Sequence, residues 1–278
     1  MQSTNLHQPF ASIPYNLDPI FHSTMSSLQV GVHKQYTHGL AFGAEYQWTR
    51  VLGTENLEDP SGQHPRDSYG PISGITPQVL QLSYSYALPF GHGQALFGNA
   101  GDLANKFVHG WQISGITDAQ TGQPFSVSFS APSVQGAVSG RANVVPGVAL
   151  YPATKTRAQW FNPLAFAVPS CYNANGSFPC ANYTSSMPTS YATYGTSGYD
   201  MLRGPRFQDW DMSLQKNTSW HDHYNVQLRA DAFNVANHPN FGTPNANISN
   251  SNVGTITGIS GTPSYEQRTM EFALKFNF

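Results

Sequence analysis

His221 and His223 stand two apart in "WHDH", a spacing that puts both imidazoles on one side of an extended chain, where they could share a metal ion. The string falls, however, between two alternating segments, and a solvated tight turn explains it more simply. Asp209 and Asp211 have the same spacing. Paired carboxylates do acid–base work in many active sites, but these two share the polar face of an alternating run, where structural pairing is the expectation. "GISG" and "GTSG" are turn glycines and lack the G-x-S-x-G spacing of a nucleophile elbow. Cys171 and Cys180, in "SCYNANGSFPCAN", flank a glycine-containing turn with eight residues between them. That arrangement suits a local disulfide in an oxidising compartment; two unrelated thiols are the alternative. No catalytic constellation assembles from these residues. The expectation is a protein that is not an enzyme and holds neither cofactor nor metal.

Composition narrows the elements that must carry such residues. Only 10% of the 278 residues are charged, while 13% are aromatic, with 17 Phe and 14 Tyr. Soluble domains carry about 25% charged residues, and disordered chains lack aromatics, so neither description fits. A formal net charge of −2 gives no reason to expect a nucleic-acid partner. No apolar run approaches the ~18 residues of a membrane-spanning helix. The opening "MQSTNLHQPF" has neither the basic nor the apolar region of a signal peptide.

What the chain has is alternation. "TMEFALKFNF", residues 269 to 278, puts Met270, Phe272, Leu274, Phe276 and Phe278 on one face of a strand. Thr269, Glu271, Ala273, Lys275 and Asn277 lie on the other. "LAFGAEYQWT", "LQLSYSYALPF" and "YNVQLRADAF" repeat the pattern, and weaker versions run from Leu28 to Lys34, Trp111 to Ala119 and Trp210 to Lys216. Seven strands of about ten residues, each with one apolar and one polar face, predict an all-β fold. Its form is an antiparallel up-and-down transmembrane β-barrel segment. Short connections ("QYTHG", "NTSWHDH") alternate with long ones, the longest covering about 121–205, as periplasmic turns and extracellular loops do. The exception is "GHGQALFGNAGDLANKFVHG", about 20 residues where a short turn is expected. Aromatics gather near strand ends, where barrels carry their interfacial girdles. A turn near residue 220 sets Asp211 opposite Arg229 as a lumen-wall pair, with Leu214 opposite Val226 toward lipid. The competing reading is a soluble β-sandwich that binds carbohydrate through Tyr183, Tyr191 and Tyr194; so long a loop argues against it.

Seven stretches, in order from about residue 24 to the end, resemble one family. "MLRGPRFQDWDMSLQKN", "LRADAFNVANHPNFGTPN", "GWQISGITDAQTGQPFSV" and "MEFALKFNF" are similar to the C-terminal barrel of Oar-like TonB-dependent outer-membrane receptors. "AEYQWTRVL" and "LSYSYALPFG" are similar to its earlier strands, and "QWFNPLAFAVP" to its long loop. The resemblance implies a barrel of about 22 strands, of which residues 24–278 are the C-terminal part and residues 1–23 the end of an extracellular loop. It implies uptake of a substrate across the bacterial outer membrane, with a plug and a TonB box that this chain lacks, so that the chain alone is a fragment not competent for transport. The implied partners are outer-membrane lipid, the remainder of the receptor, TonB through the missing N-terminal part, and the barrel-assembly machinery. That machinery would read Leu274, Phe276 and Phe278 as its signal. A surface adhesin that keeps the barrel but transports nothing is the remaining alternative.

Overall fold

The alternating segments pair with one another in chain order. A computed structural model describes residues 22–54, 69–129, 141–168, 195–220, 224–260 and 267–278. Its main strands are β1 (Ser23–Thr37), β2 (Leu40–Thr54), β4 (Gln78–Ala87), β5 (Trp111–Gln120), β10 (Phe207–Trp220), β11 (Tyr224–Phe233) and β12 (Thr269–Asn277). They form one antiparallel sheet in the order β1-β2-β4-β5-β10-β11-β12, with the short β3 (Tyr69–Pro71) added on the end of β2. This is the all-β, up-and-down arrangement expected of an outer-membrane barrel segment. Among the described residues β1 pairs only with β2 and β12 only with β11, so the sheet is open.

Local chemistry sets the tight turn. His38 (φ 52°) and Gly39 (φ 80°) join Thr37 to its partner Leu40, both with positive φ, as a two-residue type I′ hairpin requires. A side chain at 39 would also press on the Ala87 carbonyl, 2.9 Å from where its Cβ would stand. Where the sequence left about 20 residues unexplained, the connection from β4 to β5 carries helix α1 (Asp102–Val108). No helix among the described residues is long and apolar enough to cross a membrane.

Among the described residues the buried apolar cluster does not lie in the sheet, and the other sheets have two strands each. The packed interior sits in the long connections instead. Phe125, Val127, Ala142, Phe161, Ala165, Phe166 and Leu202 form a buried cluster, joined at its edge by Val253 and Ile248 from the connection between β11 and β12. Two small ladders frame it: β6 (Pro124–Phe125) with β9 (Leu202–Arg203), and β7 (Asn143–Val144) with β8 (Phe166–Ala167). Asn162 caps a 3-10 turn at Pro163–Ala165, its side chain accepting from the Leu164 N–H. The described parts of this 121–205 segment are therefore a small packed body.

Candidate lumen wall and lipid face

Cross-strand register sorts every side chain of the sheet to one of two faces, because directly opposed residues project the same way. One face carries Val30, Tyr46, Leu80, Ala119 along one row, and Phe42, Tyr84, Gly115, Met212 and Ala232 along another. It continues through Leu228 opposite Leu274 and Val226 opposite Phe276 on the last pair. Phe272 is 77% exposed and Leu274 70%. So large an exposed apolar face calls for a covering medium. It is shaped to face lipid.

The other face is polar. Glu45, Gln81, Asp118 and Asp209 follow one another across four strands, each opposite the next. Nearby, Gln215 donates to Gln112 (2.9 Å) and Gln112 to Ser85 Oγ (2.5 Å), a hydrogen-bonded run over three strands. Gln227 donates to Asn217 at 3.0 Å. Side chains from β1, β2, β4, β5, β10 and β11, among them His33, Ser83, Ser114, Asp211 and Arg229, line one cavity of about 540 Å³. Six strands thus border one hollow, whose lining mixes these polar side chains with Ile116 and Phe233; with the opposite face apolar, the polar face is assigned to the inner wall. Outside the sheet, Lys155 stacks its ammonium over Tyr151 (3.6 Å) and Trp160 (5.3 Å); partial burial, with Arg206 nearby, lowers its pKa.

A family model for the outer membrane beta barrel domain matches residues 1–271. This chain belongs to that family. No curated protein and no solved structure matches it. As an outer-membrane β-barrel domain, the chain has its place in the bacterial outer membrane, and its two faces take their meaning from that: apolar to lipid, polar to lumen. Such barrels keep short turns in the periplasm and long loops outside. That puts the His38–Gly39 turn, helix α1 and Phe278 at the periplasmic rim, and the packed 121–205 body at the extracellular end.

The expected residues land as follows. Asp211 and Arg229 share the lumen face, but they are not opposite one another. Arg229 is opposite Gln215, and Leu214 is opposite Ala230 rather than Val226, a register four residues away from the expected one. The reason is the turn: β10 continues through Trp220 and β11 begins at Tyr224, so the reversal lies two residues later than a turn at 220. Arg229 pairs instead along its own strand with Asp231, Nε to Oδ1 at 2.8 Å. Asp211 accepts from the Asn234 N–H at 2.9 Å, closing the exit of β11. Asp209 lies directly opposite Asp118, a like-charge juxtaposition on the lumen wall. Leu274 and Phe276 lie on the lipid face of β12; Phe276 stacks on Tyr224 and on Phe278, each with ring centroids 5.9 Å apart. Phe278 is 92% exposed. Cys171, Cys180, His221, His223, Tyr183, Tyr191 and Tyr194 lie outside the described residues, as do residues 1–21.

Sequence reasoning missed Asn234 and Asn240. Both are fully or almost fully buried. Asn240 gives its side-chain N–H to the Gln208 carbonyl and accepts the Gln208 N–H (2.9 and 2.8 Å), standing in for a neighbouring strand. Asn234, at φ 48°, does the same for His238. The signal was the string "NVANHPN" itself, where asparagines sit at the irregular positions that suit local backbone bonding.

Proposed function

We propose that this domain is the C-terminal part of a TonB-dependent receptor of the Oar-like kind, taking part in uptake of a substrate across the outer membrane. The observation that carries the proposal is the continuous polar face of a sheet that, among the described residues, does not close on itself. The hollow bordered by His33, Arg229, Asp211 and a row of serines, with Ile116 and Phe233 among them, leaves space for water, substrate or a gating body, whereas small closed barrels fill their interior with side chains. The seven matching stretches support the Oar-like assignment. The proposal assigns no catalytic step, cofactor or metal to the chain. Its partners are outer-membrane lipid, the barrel-assembly machinery, the rest of the receptor, and TonB through that rest. The direct test is binding of the intact receptor to the purified periplasmic domain of TonB. Specific binding that vanishes when the receptor's N-terminal box is deleted is the expected result. A well-folded intact protein that never engages TonB would remove energy-coupled uptake and leave the adhesin reading.

A further inference from the structure

Helix α1 and the loop before it expose an unusual amount of apolar surface. Leu103 is 77% exposed and Phe107 72%, while Leu96 and Phe97 are also exposed. Leu103 and Phe107 are four apart, hence on one side of the helix. Asn105, on the opposite side, turns inward: its Oδ1 accepts from the His92 N–H at 2.7 Å. Phe97 keeps its outward position at φ 58°, a backbone conformation a bulky residue rarely adopts, with Phe90 edge-on at 5.8 Å. This is a connector whose apolar side chains point away from the chain that carries them.

Two side-chain hydrogen bonds fasten the connector to residues of the lipid face. Trp111 belongs to the same row as Ile113 and Gly115, and its indole N–H donates to the Phe107 carbonyl at 2.9 Å. Lys216, opposite Trp111, donates to the His109 carbonyl at 2.7 Å and holds its ammonium 5.6 Å above the Trp111 ring. Trp111 opens β5 and Lys216 lies opposite it, an aromatic and a lysine of the kinds that mark the membrane–water boundary. From these contacts we infer that the β4–β5 connector is an interfacial anchor. Leu96, Phe97, Leu103 and Phe107 are immersed in the phospholipid leaflet on the periplasmic side. The occupant is phospholipid because Phe107 and His109 of the connector are tied to Trp111 and Lys216 on a face already turned to lipid. Such an anchor explains why some 20 residues are used where the neighbouring turns need two or three: a short amphipathic helix in the interface fixes the height and tilt of β4 and β5. The inference rests on the outer-membrane reading of the sheet.

The test uses the intact barrel protein in isolated outer membranes, with Cys171→Ser and Cys180→Ser as background. Nitroxide labels are attached in turn to Leu103→Cys, Phe107→Cys, Asn105→Cys and Leu228→Cys, and collision with oxygen and with a water-soluble nickel chelate is measured. Labels at 103 and 107 should behave like the one at 228, with an oxygen-to-nickel ratio severalfold above that at 105. Nickel access at 103 and 107 equal to that at 105 would mean a solvated connector, and shielding from both reagents would mean a protein partner; either overturns the anchor. If the label at 228 is itself open to nickel, the lipid-facing sheet fails first and the anchor falls with it.

Discussion

Gly115 lies in the apolar row of β5, and the Tyr84 ring occupies the space its missing side chain leaves. A Cβ there would stand 2.5 Å from the Tyr84 hydroxyl and 2.8 Å from the Asp211 carbonyl. The same hydroxyl accepts from the Trp210 indole N–H at 3.1 Å, so one glycine lets two aromatics lie flat across three strands. Gly115→Leu should therefore displace Tyr84 and cost about 1–3 kcal/mol, read as a lower urea midpoint for the intact barrel in lipid; an unchanged midpoint would mean that the ring has room to move. Leu82 and Ser83 test the two faces side by side, since Leu82 belongs to the lipid row and Ser83 to the cavity. Arginine at 82 should cost roughly 2–4 kcal/mol near mid-membrane and much less at 83. Equal losses would mean a sheet buried on both sides. Asp211 shows what a residue pattern leaves out. Alternation puts it on the polar face, but its partner is a backbone N–H beyond the end of the strand, and no charge pattern records that.

At the scale of elements, the seven long strands were legible because each must bury one face in an apolar medium, which imposes a period of two on the sequence. Register was less legible, because shifting a hairpin by an even number of residues keeps every face and so leaves the pattern unchanged. The four-residue shift in the β10–β11 pair is of that kind. The short strands and the packed body of 121–205 left no periodic trace, since ladders of two residues are too short to alternate. Their stability rests on a few large side chains. Phe161, fully buried among Phe125 and Phe166 at ring distances of 5.9 and 5.8 Å, is the centre. Phe161→Ala should cost about 3–5 kcal/mol, confined to the extracellular body. Hydrogen exchange should rise from residue 142 to 167 while β4 and β5 stay protected; loss of protection in the strands as well would mean that body and sheet fold as one. Asn240→Ala leaves the Gln208 N–H and carbonyl without their partner, each worth about 1–3 kcal/mol if buried, and should fray the outer end of β10 first.

For the whole molecule, strand direction matters more than strand count. Ser23 at the start of β1 is opposite Gly53 at the long-loop end of β2, so β1 runs from the extracellular side inward. Asn277 at the end of β12 is opposite Asn225 at the start of β11, so β12 also runs inward. The two edges of the arc are therefore parallel to each other. Sealing the sheet on itself would need a parallel seam, whereas bacterial barrels of this class are antiparallel throughout with an even strand number. The same holds for a second copy set edge to edge in the same orientation. An antiparallel closure needs an odd number of further strands whose first and last members both run outward. Left open in hydrocarbon, each unpaired N–H or carbonyl along the 15 residues of β1 and the nine of β12 would cost several kcal/mol. The chain reconstituted alone should accordingly give no stable pore conductance and no heat-modifiable gel band, and both should appear when the strands that complete the ring are supplied. Disulfide trapping gives the geometry of the seam: cysteine at Ala273, on the lumen face of β12, should cross-link to an outward-running strand of the complement and never to β1. A conducting ring of this chain alone, trapped through β1 and β12, would overturn the argument at its first step.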